Sequence, residues 1–129
     1  LHIIVYENID GETMKRNAIL LSDDANFLFM MTTIIDQMEL NLLKVEKKDD
    51  IWQQITEKEP SIVIWDFGNS NHIDGFYSKL QNNISHNCHF LVFSNSISGL
   101  SHFSNGRIHI FQKPFSPNEV SHLIREITN

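Results

Sequence analysis

Ser61-Ile62-Val63-Ile64-Trp65-Asp66-Phe67-Gly68 is an apolar run of strand length that ends on a carboxylate. Its β-branched and aromatic residues, bracketed by Pro60 and Gly68, predict a buried strand. A nearly continuous apolar run suits a parallel strand covered on both faces better than a half-exposed antiparallel one. Asp66 then stands at the carboxyl end of that strand, where open α/β sheets place their ligand chemistry.

The rest of the chain reads as partners for that strand. Ala18 to Leu21 predicts a first strand, followed by Ser22-Asp23-Asp24. From Ala25 to Glu39, Phe27, Met31, Ile34, Ile35 and Met38 recur at helical spacing. Leu42 to Glu46 is the expected second strand. Asp50 is placed to cap a second helix, with Gln53 three positions on and Ile51 and Ile55 facing inward. Gly75 to Ile84 reads as a helix with Phe76, Leu80 and Ile84 on one stripe, and residues 85 to 88 as a loop. His89 to Ser94 is the fourth strand. Residues 96 to 104 are expected to make a short helix through Ile97, Leu100 and Phe103, and Arg107 to Gln112 the fifth strand. Ser116 as N-cap, Pro117 at the first helical position and Glu119 closing a capping box start the last helix. Five strands alternating with five helices imply right-handed crossovers and a parallel sheet. The expected class is α/β, a flavodoxin-like doubly wound five-stranded parallel sheet in the order 2-1-3-4-5 with helices on both faces.

A length of 129 residues suits one compact domain, and a hydrophobic content of 41% is enough for a core. Residues 1–13 read as an N-terminal appendage or linker, and residues 14–129 as the domain. The net charge of −6 argues against a nucleic-acid surface, which needs clustered Lys and Arg. No apolar run is long enough to cross a bilayer. The single Cys88 excludes an intramolecular disulfide and fits a reducing cytoplasm. His86, Cys88 and His89 match no recognised zinc spacing.

In the 2-1-3-4-5 order strands 1 and 3 lie side by side, so Asp23, Asp24 and Asp66 are expected in one crevice. Three carboxylates repel one another, and Mg2+ relieves such repulsion using one or two carboxylates, waters and phosphate oxygens. A carboxylate is also a nucleophile able to form an acyl phosphate. Ser94, after strand 4, is placed to hydrogen-bond a phosphoryl oxygen, and Lys113, after strand 5, to pair with remaining negative charge. Together they read as a metal-assisted phosphoryl acceptor. A plainer reading of Asp23-Asp24 also exists, since carboxylates favour the positive end of a helix.

Across residues 15 to 128 these motifs resemble the receiver domain of bacterial response regulators: Asp23-Asp24, Asp66, Ser94 and Lys113-Pro114-Phe115, in order at strand ends. The resemblance implies that Asp66 takes a phosphoryl group from a histidine kinase or histidine phosphotransfer protein. It further implies that Asp23 or Asp24, Asp66 and the Gly68 carbonyl hold Mg2+, and that Ser94 and Lys113 read the phosphoryl group. Lys113-Pro114 is expected to be cis. The signal would pass through the face made by the fourth helix, fifth strand and fifth helix to an output protein or domain. Apart from its own aspartyl phosphorylation and dephosphorylation, such a domain is not an enzyme. The chain departs from the family's pattern in lacking Met-Pro after Asp66, in Asn95 after Ser94, and in Ile110 where an aromatic switch residue is common. These departures leave a second reading, a pseudo-receiver that works as an interaction module without phosphate.

Overall fold

The computed structural model describes residues 15–69, 79, 87–96 and 106–128. Strands β1 (Arg16–Leu21), β2 (Leu40–Lys44), β3 (Ile62–Gly68), β4 (His89–Ser94) and β5 (Ile108–Gln112) form one sheet. All pairings are parallel and the order is β2-β1-β3-β4-β5, as the sequence predicts. The described helices are α1 (Ala25–Asp36), α2 (Ile51–Lys58) and α3 (Pro117–Thr128). The expected appendage over residues 1–13 and the helices expected over 75–84 and 96–104 lie outside the described residues, as does His86.

The strand parity explains why these runs are apolar throughout. Ile19, Leu21, Val63, Trp65, Phe90 and Val92 face one way and pack with Ile51 and Ile55 of α2. Ala18, Leu20, Ile62, Ile64, Leu91 and Phe93 face the other way, against α1 and α3. Burying both faces of a parallel sheet requires apolar residues at both parities, which is the pattern that Ile62 to Trp65 carries. No helix among the described residues is long and apolar enough to cross a membrane.

Element ends differ from expectation for local reasons. α1 stops at Asp36 rather than Glu39, because the Gln37 and Met38 N–H groups turn back to the Ile34 and Ile35 carbonyls respectively. β2 therefore begins at Leu40, two residues early, and pairs Arg16↔Leu40 through Leu20↔Lys44. That register buries Leu40 in the α1 layer and leaves Val45 to seal the α2 layer. Asp50 makes no side-chain cap to α2; a single 3-10 turn over Lys48–Asp50 leads into the helix instead. The cap on α3 is present, with Ser116 Oγ accepting from the Glu119 N–H at 3.3 Å.

Cys88 is 2% exposed, and burial pushes its thiol up to about 12 against the opposing pull of Arg107, so it is a packing residue. Among the described residues no three His, Cys, Asp or Glu side chains come close enough to hold a metal ion jointly. His89 does find a partner, His109 on β5, with Nδ1 and Nε2 3.2 Å apart and the rings stacked. One nitrogen must carry the proton and the other accept it, so the pair cannot hold with both rings protonated. Burial holds both imidazoles below the ordinary 6.5, helped by Arg107 at His89 and by His89 at His109. Below 6.5 the unfolded chain takes up protons that the folded pair refuses, so this stability is present above 6.5 and is lost as pH falls through the lowered folded values. Thermal unfolding between about pH 7 and pH 5 should show the midpoint falling with pH, and His109→Gln should flatten that fall.

Candidate functional site

Because β1 and β3 are neighbours with Leu21 opposite Trp65, the next residue on each, Ser22 and Asp66, emerge side by side at the carboxyl edge. The Ser22 hydroxyl donates to Asp66 Oδ2 at 2.6 Å. Lys113, delivered by the end of β5, donates its ammonium to the same oxygen at 2.7 Å. Asp66 Oδ1 accepts from the Gly68 N–H at 2.9 Å. The Asp66 side chain is only 3% exposed and that of Lys113 16%, so a buried carboxylate is held by three donors, one of them charged.

Lys113 is itself fixed from several sides. Its peptide with Pro114 is cis, its N–H donates to the Ser94 carbonyl at 2.9 Å, and its ammonium lies 4.7 Å from the centre of the Phe27 ring. Beneath it, Phe27, Phe93, Phe111 and Phe115 form an aromatic cluster joining α1, β4, β5 and the approach to α3. The backbone turns after Asp66 at Gly68, whose φ of 59° lies in the left-handed region that an L side chain resists.

A cleft of about 280 Å³ opens over this pair, lined by Asp23, Asp24, Asp66, Phe67, Gly68, Asn69, Asn95 and Lys113. The three carboxylates expected in one crevice are therefore brought to one cleft, but they have different surroundings. Asp24 is the N-cap of α1, its Oδ1 accepting from the Asn26 N–H at 2.9 Å, while its Oδ2 is 3.7 Å from the Lys113 ammonium. The plainer reading of the acidic pair thus holds for Asp24. Asp23 is exposed, and no hydrogen bond or ion pair engages its carboxylate among the described residues.

Ser94 is buried and does not line the cleft. Its Oγ is 2.9 Å from the Ser96 carbonyl and 3.3 Å from the Gly68 carbonyl, so its proton serves the loop backbone. The Gly68 carbonyl also accepts from the Asn95 N–H at 2.8 Å. Asn95 bridges the rim of the cleft, donating its side-chain amide to Asn69 Oδ1 at 2.6 Å. Trp65 points into the α2 layer, stacked on Phe67 and in edge contact with Trp52.

Sequence reasoning named Ser22 only as the residue before the acidic pair and assigned it nothing. The signal was available in strand register: if Asp66 ends β3, the residue beside it on β1 follows from parallel pairing. Asn69 was missed as well, because its role exists only through the loop that returns it to Asn95.

Does this donor set suit the Mg2+ that the residues suggest? Mg2+ keeps several waters and takes one or two carboxylates, so an unengaged Asp23 beside Asp66 fits it. Asp24 Oδ1 and the Gly68 carbonyl are hydrogen-bonded to backbone N–H groups while Asp23 is unengaged, so Asp23 together with Asp66, whose Oδ2 would have to give up one of its two donors, would hold the ion. Lys113 meets the mutual repulsion in part, since its ammonium faces both Asp66 and Asp24.

The architecture is similar to that of solved receiver domains. It matches a CheY-like response regulator protein from Mesorhizobium loti with TM-score 0.67 at 18% identity, covering 88% of this chain and 98% of that one. The signal receiver domain of a response regulator from Bermanella marisrubri gives TM-score 0.71 at 16% identity, covering 89% and 99%. A signal receiver domain of two-component signal transduction (histidine kinase) from Clostridium thermocellum gives 0.65 at 14%, covering 88% and 98%. No protein-family model matches the sequence, and no curated protein matches it. This chain has the CheY-like receiver fold, and its chemistry has to be argued from its own residues.

Proposed function

We propose that this chain is a receiver-type signalling domain that accepts a phosphoryl group on Asp66 from a phosphohistidine of a histidine kinase or histidine phosphotransfer protein. The observation that carries this reading is the Asp66–Lys113 pair, at 2.7 Å and nearly closed to solvent, at the switch point of the sheet. The structures similar to it are receiver domains of response regulators. In the proposed step, an Asp66 carboxylate oxygen forms a bond to phosphorus as the phosphorus–nitrogen bond breaks, and the electron pair leaves with the imidazole. Oδ1 has one donor where Oδ2 has two, so Oδ1 is the oxygen better able to attack. Lys113 balances the charge gathered on the phosphoryl oxygens. Mg2+, held by Asp23 and Asp66, would supply further neutralisation of that charge. The event would be passed on through β5 and α3, which the Phe93–Phe111–Phe115 cluster ties to Lys113.

A second reading, the pseudo-receiver acting as an interaction module, draws on specific observations. Asp24 is used as a helix cap, the Gly68 carbonyl is already bonded, and the Asn95–Asn69 bridge narrows the approach to Asp66. Beryllofluoride with Mg2+ separates the two. Trp65 is the immediate neighbour of Asp66, so under the acceptor reading its fluorescence changes on addition, and Asp66→Asn loses the change. A flat response in the natural chain favours the interaction module.

A further inference from the structure

We propose that Ser22 is a positioning residue that latches the Asp66 carboxylate, so that a divalent cation reaches Oδ2 only when the Ser22 hydroxyl lets go. The inference rests on the reading of Asp66 as the acceptor and adds a control on access to it. Oδ2 has two lone-pair directions, and both are taken, by Ser22 at 2.6 Å and Lys113 at 2.7 Å. The Ser22 hydroxyl is not a free rotor. Its oxygen accepts from the Asp24 N–H at 3.0 Å, which fixes its orientation and turns its proton toward Asp66. Asp24 in turn caps α1 through the Asn26 and Phe27 N–H groups. The hydroxyl is thus the link between the carboxylate at the end of β3 and the first turn of α1.

Lys113 and Ser22 differ in what they do for an incoming group. The ammonium attracts a phosphoryl oxygen by its charge, whereas the hydroxyl only occupies the carboxylate. A divalent cation using Oδ2 has to displace one of them, and with a single short hydrogen bond Ser22 is the one without a charge to lose. Its release removes the acceptor that the Asp24 N–H uses, so occupancy of Asp66 is felt at the start of α1.

The test is calorimetric titration of the metal-free chain with MgCl2, comparing the natural protein with Ser22→Ala, Ser22→Thr and Asp66→Asn. Losing a hydrogen bond to a charged group should make Ser22→Ala bind Mg2+ roughly tenfold tighter than the natural chain. Threonine keeps the hydroxyl and should bind as the natural chain does. Ser22→Val, which matches threonine in shape, repeats the alanine comparison if alanine fails to fold. A second readout is the Asp24 amide resonance: Mg2+ should shift it in the natural chain, while in Ser22→Ala it is already displaced before metal is added. If the natural and alanine chains bind equally and both lose binding with Asp66→Asn, the latch is overturned and the acceptor reading stands. If no chain shows Asp66-dependent binding, both fall. A response in Ser22→Ala where the natural chain has none supports the latch in its strongest form.

Discussion

Phe93→Ala should lower folding stability by about 3–5 kcal/mol, read from urea unfolding. Phe93 is fully buried and touches three other rings, Phe27 edge-on at 4.9 Å, Phe111 stacked at 4.9 Å and Phe115 at 4.8 Å. Truncation removes the ring's transfer energy and leaves a cavity walled by three stiff aromatic side chains, from α1, β5 and the approach to α3. Such walls relax poorly, which places the cost toward the upper part of the range. The total stability of a domain this size is about 5–15 kcal/mol, so the variant should be close to unfolding. Phe29→Ala is the matched comparison: that ring is 76% exposed on α1, and its loss should cost within about 0.5 kcal/mol.

Lys113→Met should cost about 3 kcal/mol and also abolish phosphoryl acceptance. The substitution keeps most of the apolar stem but leaves the Asp66 carboxylate, 3% exposed, without its counter-charge. Removing one partner of a buried pair typically costs about 3–5 kcal/mol, and the low end applies because Ser22 and the Gly68 N–H still hold the carboxylate. The signature of this cause is a double-mutant cycle. Lys113→Met combined with Asp66→Asn should recover much of the loss, because the stranded charge is then gone. If the double variant is as unstable as the sum of the singles, the cost lies in the lost contact of the ammonium with the Phe27 ring and not in the ion pair.

The fold was legible because its physical signals are redundant. Apolar residues at both parities of Ile62 to Trp65 demand two covered faces, and the helical spacing of Phe27, Met31, Ile34 and Ile35 supplies one of the covers. Ser116 and Pro117 mark the start of α3 by chemistry that needs no tertiary information. Boundaries were less legible where tertiary pairing decides them. Leu42 looked like the start of β2, but the register with β1 draws in Leu40. Asp50 has the right residue type and spacing for a cap, yet the 3-10 turn before it satisfies the helix entrance differently.

The candidate site was legible in its members and less so in their wiring. Asp66 and Lys113 could be placed at one end of the sheet from the topology, because β3 and β5 both finish at its carboxyl edge, but their direct pairing across β4 is seen only in the structure. The division of labour between Asp23 and Asp24 could not, since it depends on which of them the α1 backbone turns toward. Ser94 has the expected position in the chain, but its hydroxyl proton is drawn to the Ser96 and Gly68 carbonyls. Ser22 went unassigned because a serine before two aspartates looks unremarkable until strand register sets it beside Asp66.

The most direct test of the account is the intact mass of the chain after incubation with acetyl phosphate and Mg2+. The account predicts a species heavier by one phosphoryl group, labile to base as an acyl phosphate is, with peptide mapping that locates it at Asp66 and with no such species from Asp66→Asn. An unmodified natural chain, or equal modification of Asp66→Asn, would contradict the assignment of Asp66 as the acceptor.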